Sequence, residues 1–215
     1  QGQLPEVQDL LVFWTKKCLE SKNYLELVFL KEKINVPKVK EFLNQKENLT
    51  QLTEDLKKLP EQKIALKKLL LFIGTPEVAW HLTQVFTHPH RHLRQIALTI
   101  LSELGEISEK VFAQFFADGK NWIRNSDGLT LNSSSWFKIR NVLHLWGRTR
   151  IFTSWEILEK RITDPDPKVR REIAKTLEKI GGQKASARLT ILSLDSDLHV
   201  QRTAILSLGL VGTSQ

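Results

Sequence analysis

At three places in this chain a glycine follows an apolar anchor by twelve residues: Leu93 to Gly105, Val169 to Gly181 and Val200 to Gly212. The second and third anchors are 31 residues apart. Counting 31 back from Val169 reaches Lys138, inside Trp136-Phe137-Lys138-Ile139-Arg140-Asn141, and Arg140 and Gly147 then fall in register with Arg202 and Gly209. Counting 31 back from Leu93 reaches Gln62, with Gly74 twelve residues on. One interval breaks the rule: 45 residues separate positions 93 and 138, the period plus fourteen. A period of this size constrains the fold strongly, because each copy is too small to bury its own apolar face and has to stack on its neighbours.

Each copy reads as a pair of helices. Val169, Ile173, Ala174, Leu177 and Ile180 form an apolar stripe at helical spacing. Asp164-Pro165-Asp166-Pro167 precedes it, so a helix breaks there and a new one starts with Asp166 as N-cap and Pro167 in the first turn. Gly181-Gly182 supplies the stop. A second helix is predicted over 183–194, and Asp195-Ser196-Asp197 repeats the break 31 residues after Asp164. Arg170 stands where it reaches a neighbouring repeat's aspartate, and Arg140, Arg171 and Arg202 are read the same way.

These residues resemble HEAT repeats, in particular the short bacterial phycobilisome-lyase-like type. The resemblance is carried by Asp164-Pro-Asp-Pro-Lys-Val-Arg-Arg with Ile180-Gly181-Gly182, and by Asp195-Ser-Asp-Leu-His-Val-Gln-Arg with Leu208-Gly209-Leu210-Val211-Gly212. Trp136 to Gly147 is similar to a variant of the same unit, and Arg150 stands where the family's closing glycine is expected. The resemblance implies an all-α fold, a right-handed α-solenoid of stacked antiparallel helix pairs. The repeats are expected over 60–215. Residues 1–59 read as helical without the period, a cap for the stack or the tail of another domain. The resemblance also implies a bacterial origin.

An inserted loop is expected near 119–133, where polar residues surround Asp127-Gly128, a dipeptide suited to a hairpin turn. Insertions in such stacks fall on loops of one face, often the binding face. Trp122 and Arg124 are therefore candidates for a contact surface, Trp and Arg being frequent interface anchors. The other reading has Trp122 covering the edge of the helices.

Charge points to a binding surface. The chain has a net charge of +8, and residues 119–188 hold fifteen Lys and Arg against seven Asp and Glu, so the excess resides there. Such a concentration meets phosphates or an acidic protein surface. The candidate binding residues are Trp122, Arg124, Arg148, Arg150, Lys160, Arg161, Lys184 and Arg188, beside Trp146 and Trp155. By the resemblance, Lys160-Arg161 and Lys184/Arg188 sit on second helices, which line the concave side of such a solenoid.

Other chemistry finds less support. His81, His88, His90 and His92 lack ligand spacing and lie beside Arg91 and Arg94, so no metal and no cofactor is expected. Cys18 is the single cysteine, read as a small core residue, and fits a reducing, cytoplasmic setting. No apolar run reaches the length of a membrane span. Neither G-x-S-x-G nor H-E-x-x-H occurs. The expectation is a non-catalytic protein-interaction scaffold. The alternatives are a solenoid gripping nucleic-acid phosphates through 119–188, and, by fold analogy alone, a HEAT-like DNA glycosylase or bilin lyase. The absence of methionine, at position 1 as elsewhere, leads us to expect a fragment of a larger protein.

Overall fold

The computed structural model describes residues 5–33, 37–148 and 154–212. Among these residues every regular element is helical, apart from one isolated β-bridge. The chain divides into two compact units, residues 1–107 and 108–215. The seam expected at 59/60 lies inside the first unit, where two helices pack on each other across the short turn Pro60–Gln62.

The first unit contains α1 (Pro5–Glu20), α2 (Tyr24–Lys33), α3 (Pro37–Leu43), α4 (Lys46–Lys58), α5 (Lys63–Ile73), α6 (Pro76–Thr83) and α7 (Arg91–Glu103). In α4, Leu49, Leu52, Thr53 and Leu56 are buried at i, i+3, i+4 and i+7, which is why this lysine-rich segment folds as a helix with one face inward. Thr75 caps α6, its Oγ1 accepting from the Val78 N–H, with Pro76 in the first turn. Asp55, nearly inaccessible, accepts from the Tyr24 hydroxyl at 2.5 Å and from Lys22 Nζ at 3.2 Å, so a buried carboxylate ties α4 to the start of α2.

The second unit takes in most of α8 (Glu106–Ala117), then α9 (Ser133–Trp146), α10 (Trp155–Glu159), α11 (Pro167–Ile180), α12 (Gly182–Leu192) and α13 (Leu198–Gly212). The stripe foreseen on α11 is internal: Val169, Ile173, Ala174 and Leu177 are fully buried. Asp166 Oδ1 caps α11 by accepting from the Lys168 N–H at 2.9 Å. Gly181 ends it with φ +69°, its N–H reaching Leu177 O, a conformation that a side chain would strain. α11 packs between α9 and α13, so the first helices of successive pairs form one layer, and α12 packs against α11 and α13.

Residues 119–132 form a 3-10 turn (Gly119–Asn121) and a short hairpin, with an antiparallel bridge between Arg124 and Leu131. Gly128 adopts φ +67° at the tip, and Asn125 N–H donates to Thr130 O at 2.8 Å. Asp127 fixes the turn: Oδ1 accepts from the Leu129 and Thr130 N–H groups at 2.8 and 2.9 Å, and Oδ2 from Thr130 Oγ1 at 2.5 Å.

Candidate interaction surface

The breaks between helix pairs are held by an aspartate–arginine ladder. Arg170 donates through Nε and Nη2 to both Asp195 oxygens at 2.7 and 2.8 Å, and through Nη1 to the Asp164 carbonyl at 2.7 Å. One guanidinium thus ties its own repeat's break to the next one. In the first unit, Arg94 makes the backbone half of this contact, donating through Nη1 to the His88 and Pro89 carbonyls.

Burial pushes the Asp195 carboxyl up, but hydrogen bonds from Arg170 and from the Asp197 N–H outweigh it and hold the group below the usual carboxylate range. A carboxyl depressed on folding contributes stability above its unfolded pKa, about 4, and that contribution disappears as pH falls through the lower folded value. The melting temperature should therefore fall from about pH 5 to pH 2, and fall less steeply for Asp195→Asn, which starts lower. Identical acid limbs for the two proteins would show that this pair adds nothing.

Below Asp195 in the ladder, the partner of Asp164 comes from the hairpin. Arg124 Nη2 donates to both Asp164 oxygens at 2.9 and 3.0 Å, and its Nη1 to the Leu129 carbonyl. Asp164 is fully buried and also faces Arg161 Nη1 at 3.6 Å. The Leu131 N–H donates to Asp166 Oδ2 at 2.9 Å, so the hairpin is pinned to both aspartates of the Asp-Pro-Asp-Pro break. Arg140, Arg171 and Arg202 do not make the pairing expected of them. Asp164 is taken by Arg124 and Arg161, Asp195 by Arg170, and none of the three makes an ion pair with the described residues.

Trp122 is likewise no contact surface. It is 8% exposed, its ring stands edge-on to Phe116 with centroids 4.8 Å apart, and Nε1 donates to the Phe116 carbonyl at 2.7 Å. The Arg161 guanidinium lies over its other side, 3.7 Å from the ring centroid. Trp122, Arg124 and Arg161 are therefore one interior cluster holding the hairpin down, and the reading of Trp122 as an edge cover is the one observed. Trp146 is buried against Phe116 as well.

The remaining candidates divide by place. Lys184 and Arg188, one turn apart on α12, flank Trp155 at the start of α10, at 6.0 and 5.5 Å from its ring centroid. Arg188 also pairs with Glu159, and Lys160 with Glu156 at 2.9 Å in full solvent. Ile191, one further turn along α12, is 60% exposed. The second-helix face thus presents an aromatic ring between two cations beside an exposed aliphatic side chain. Arg148 is exposed just after α9. Arg150, with the turn expected at it, lies outside the described residues.

The histidines do not converge as a ligand set. His88 and His90 stack with centroids 5.3 Å apart, and His88 Nδ1 accepts the His90 N–H, which engages one lone pair. Among the described residues no cluster of three or more His, Cys, Asp or Glu could hold a metal ion. Cys18 is buried on α1, and burial pushes its thiol up, opposite to what a nucleophile needs. No helix among the described residues is long and apolar enough to cross a membrane.

Stacked helix pairs, a 31-residue period and an aspartate–arginine ladder define a helical-repeat protein. The family model for HEAT repeats matches residues 148–215, the part of the chain that carries the clearest copies of the period. No curated protein matches the chain.

Proposed function

We propose that this chain is a non-catalytic scaffold that docks another protein on the second-helix face around Trp155, Lys184 and Arg188. HEAT repeats suit protein interaction, because an extended run of helices offers broad surface in place of a deep pocket. The observation that carries the reading is Trp155 between Lys184 and Arg188, next to exposed Ile191. Interface anchors are typically Trp and Arg beside apolar side chains. Arg188 is paired with Glu159, so Lys184 is the cation that favours a partner with an acidic residue beside an apolar anchor. The reading includes a bacterial, cytoplasmic setting, supported by the resemblance of the repeats and by the lone cysteine.

Affinity capture with the whole chain tests this, comparing the natural protein with Trp155→Ala/Lys184→Glu. Loss of a hot-spot ring costs about 2 kcal/mol or more, roughly thirtyfold in affinity. A captured protein should therefore disappear from the variant while helical content and melting stay unchanged. An identical set of captured proteins would move the docking site elsewhere.

A further inference from the structure

The first helices carry a column of arginines whose members the ladder does not use. Arg140 on α9, Arg171 on α11 and Arg202 on α13 are spaced by 31 and 31 residues. Because α11 packs between α9 and α13, equivalent positions rise from the same side of that layer, about 10 Å apart at ordinary interaxial distance. Arg140 and Arg202 are exposed and Arg171 is half-buried.

The acids that could neutralise this column are engaged elsewhere. Asp164 and Asp195 hold the ladder arginines, Glu172 pairs with Lys175, Glu156 with Lys160 and Glu159 with Arg188. Glu178 accepts from Ser207. Lys168 and His199, again 31 apart, line with Pro167, Arg171 and Asp197 a pocket of about 230 Å³ between the starts of α11 and α13. Asp197 is the one acid there, and its Oδ1 accepts the His199 and Val200 N–H groups. Arg171 Nε is buried without a hydrogen-bond partner, a donor that an anion would satisfy.

We propose that this edge of the first-helix layer binds the phosphate backbone of a nucleic acid. A row of unpaired guanidinia fits a polyanion better than a single anion. Lys138, Lys168 and His199 stand beside the arginines and extend the row of donors, which suits the repeating charge of a polyanion. Duplex DNA carries one charge per roughly 1.7 Å of axis, so three long side chains spread over about 20 Å meet phosphates in any register. Recognition is then independent of base sequence. This surface is separate from the Trp155 face and stands or falls independently of it.

Fluorescence anisotropy of labelled 20-base-pair duplex DNA, single-stranded DNA and duplex RNA, from about 50 to 200 mM salt, tests the proposal with the whole chain. The arm that binds names the nucleic acid. Arg140→Gln/Arg171→Gln/Arg202→Gln should weaken binding at least about tenfold at low salt and flatten the log–log salt slope by nearly 3. The control Lys160→Gln/Lys184→Gln, on the other face, should retain both affinity and slope, and thermal melting should show both variants folded. No binding of any probe at about 50 mM salt, equal binding by the arginine variant, or equal loss by the control would each overturn the proposal.

Discussion

Replacing Trp122 with alanine is expected to destabilise the second unit by about 3–5 kcal/mol, the usual cost of emptying a buried aromatic site. The ring packs on Phe116, its indole N–H satisfies a helix-end carbonyl, and Arg161 covers its far side. Removing it opens a void and leaves the Phe116 carbonyl without that donor. Trp122→Phe keeps most of the apolar area and loses the hydrogen bond, so a smaller loss of about 1–2 kcal/mol is expected. Urea unfolding of the two variants checks this ordering. Losses within about 0.5 kcal/mol, as for an exposed side chain, would mean that the hairpin does not seal the helices in solution.

The second large effect is at Asp164. Asp164→Ala should cost about 3–5 kcal/mol, because it removes one member of a buried pair and leaves Arg124 and Arg161 facing each other without a counter-charge. The double variant Asp164→Ala/Arg124→Ala should lose less than the sum of the single changes, since the stranded cation is gone as well. Additive losses would show that the two side chains act separately. Arg140→Ala, at an exposed position without an ion pair, serves as the near-neutral reference.

The repeating part of this fold was legible because its physics is periodic. Asp166, Pro167, Val169, Ile173, Leu177 and Gly181 each have one local job, and the cap, stripe and stop lie where their spacing puts them. Which arginine meets which aspartate was not legible. Periodicity shows that Arg140, Arg171 and Arg202 are equivalent, yet pairing depends on direction and reach: Arg170 spans 25 residues to Asp195, and Arg124 spans 40 to Asp164. One signal did exist. The position 31 residues before Arg170 is Ile139, so the ladder's cation for Asp164 had to come from outside the repeat.

Trp122 and Arg124 differ from the contact-surface expectation for a related reason. The 119–133 stretch has no hydrophobic period, so its composition suggests an exposed loop, and only the folded chain shows Trp122 turned under and Arg124 tied down. The charge count was right in sum and silent about partners. Several cations of 119–188 sit in ion pairs, while Lys184 and the Arg140–Arg171–Arg202 column remain turned to solvent or half-buried without a carboxylate.

The pin between Arg124 and Asp164 joins residues 40 apart, so the chain between them is a closed loop with all of α9 inside it. A helix enclosed in this way cannot peel off alone, because its release drags against both anchored ends. Closing a loop of this length removes several kcal/mol of freedom once, and everything inside the loop then shares the gain. α13 is fastened differently, by packing along α11 and α12 and by the Ser207 hydroxyl donating to Glu178 at 2.7 Å. The second unit therefore secures its helices by two different means, α9 by a closed loop and α13 by broad contact with the helices beside it.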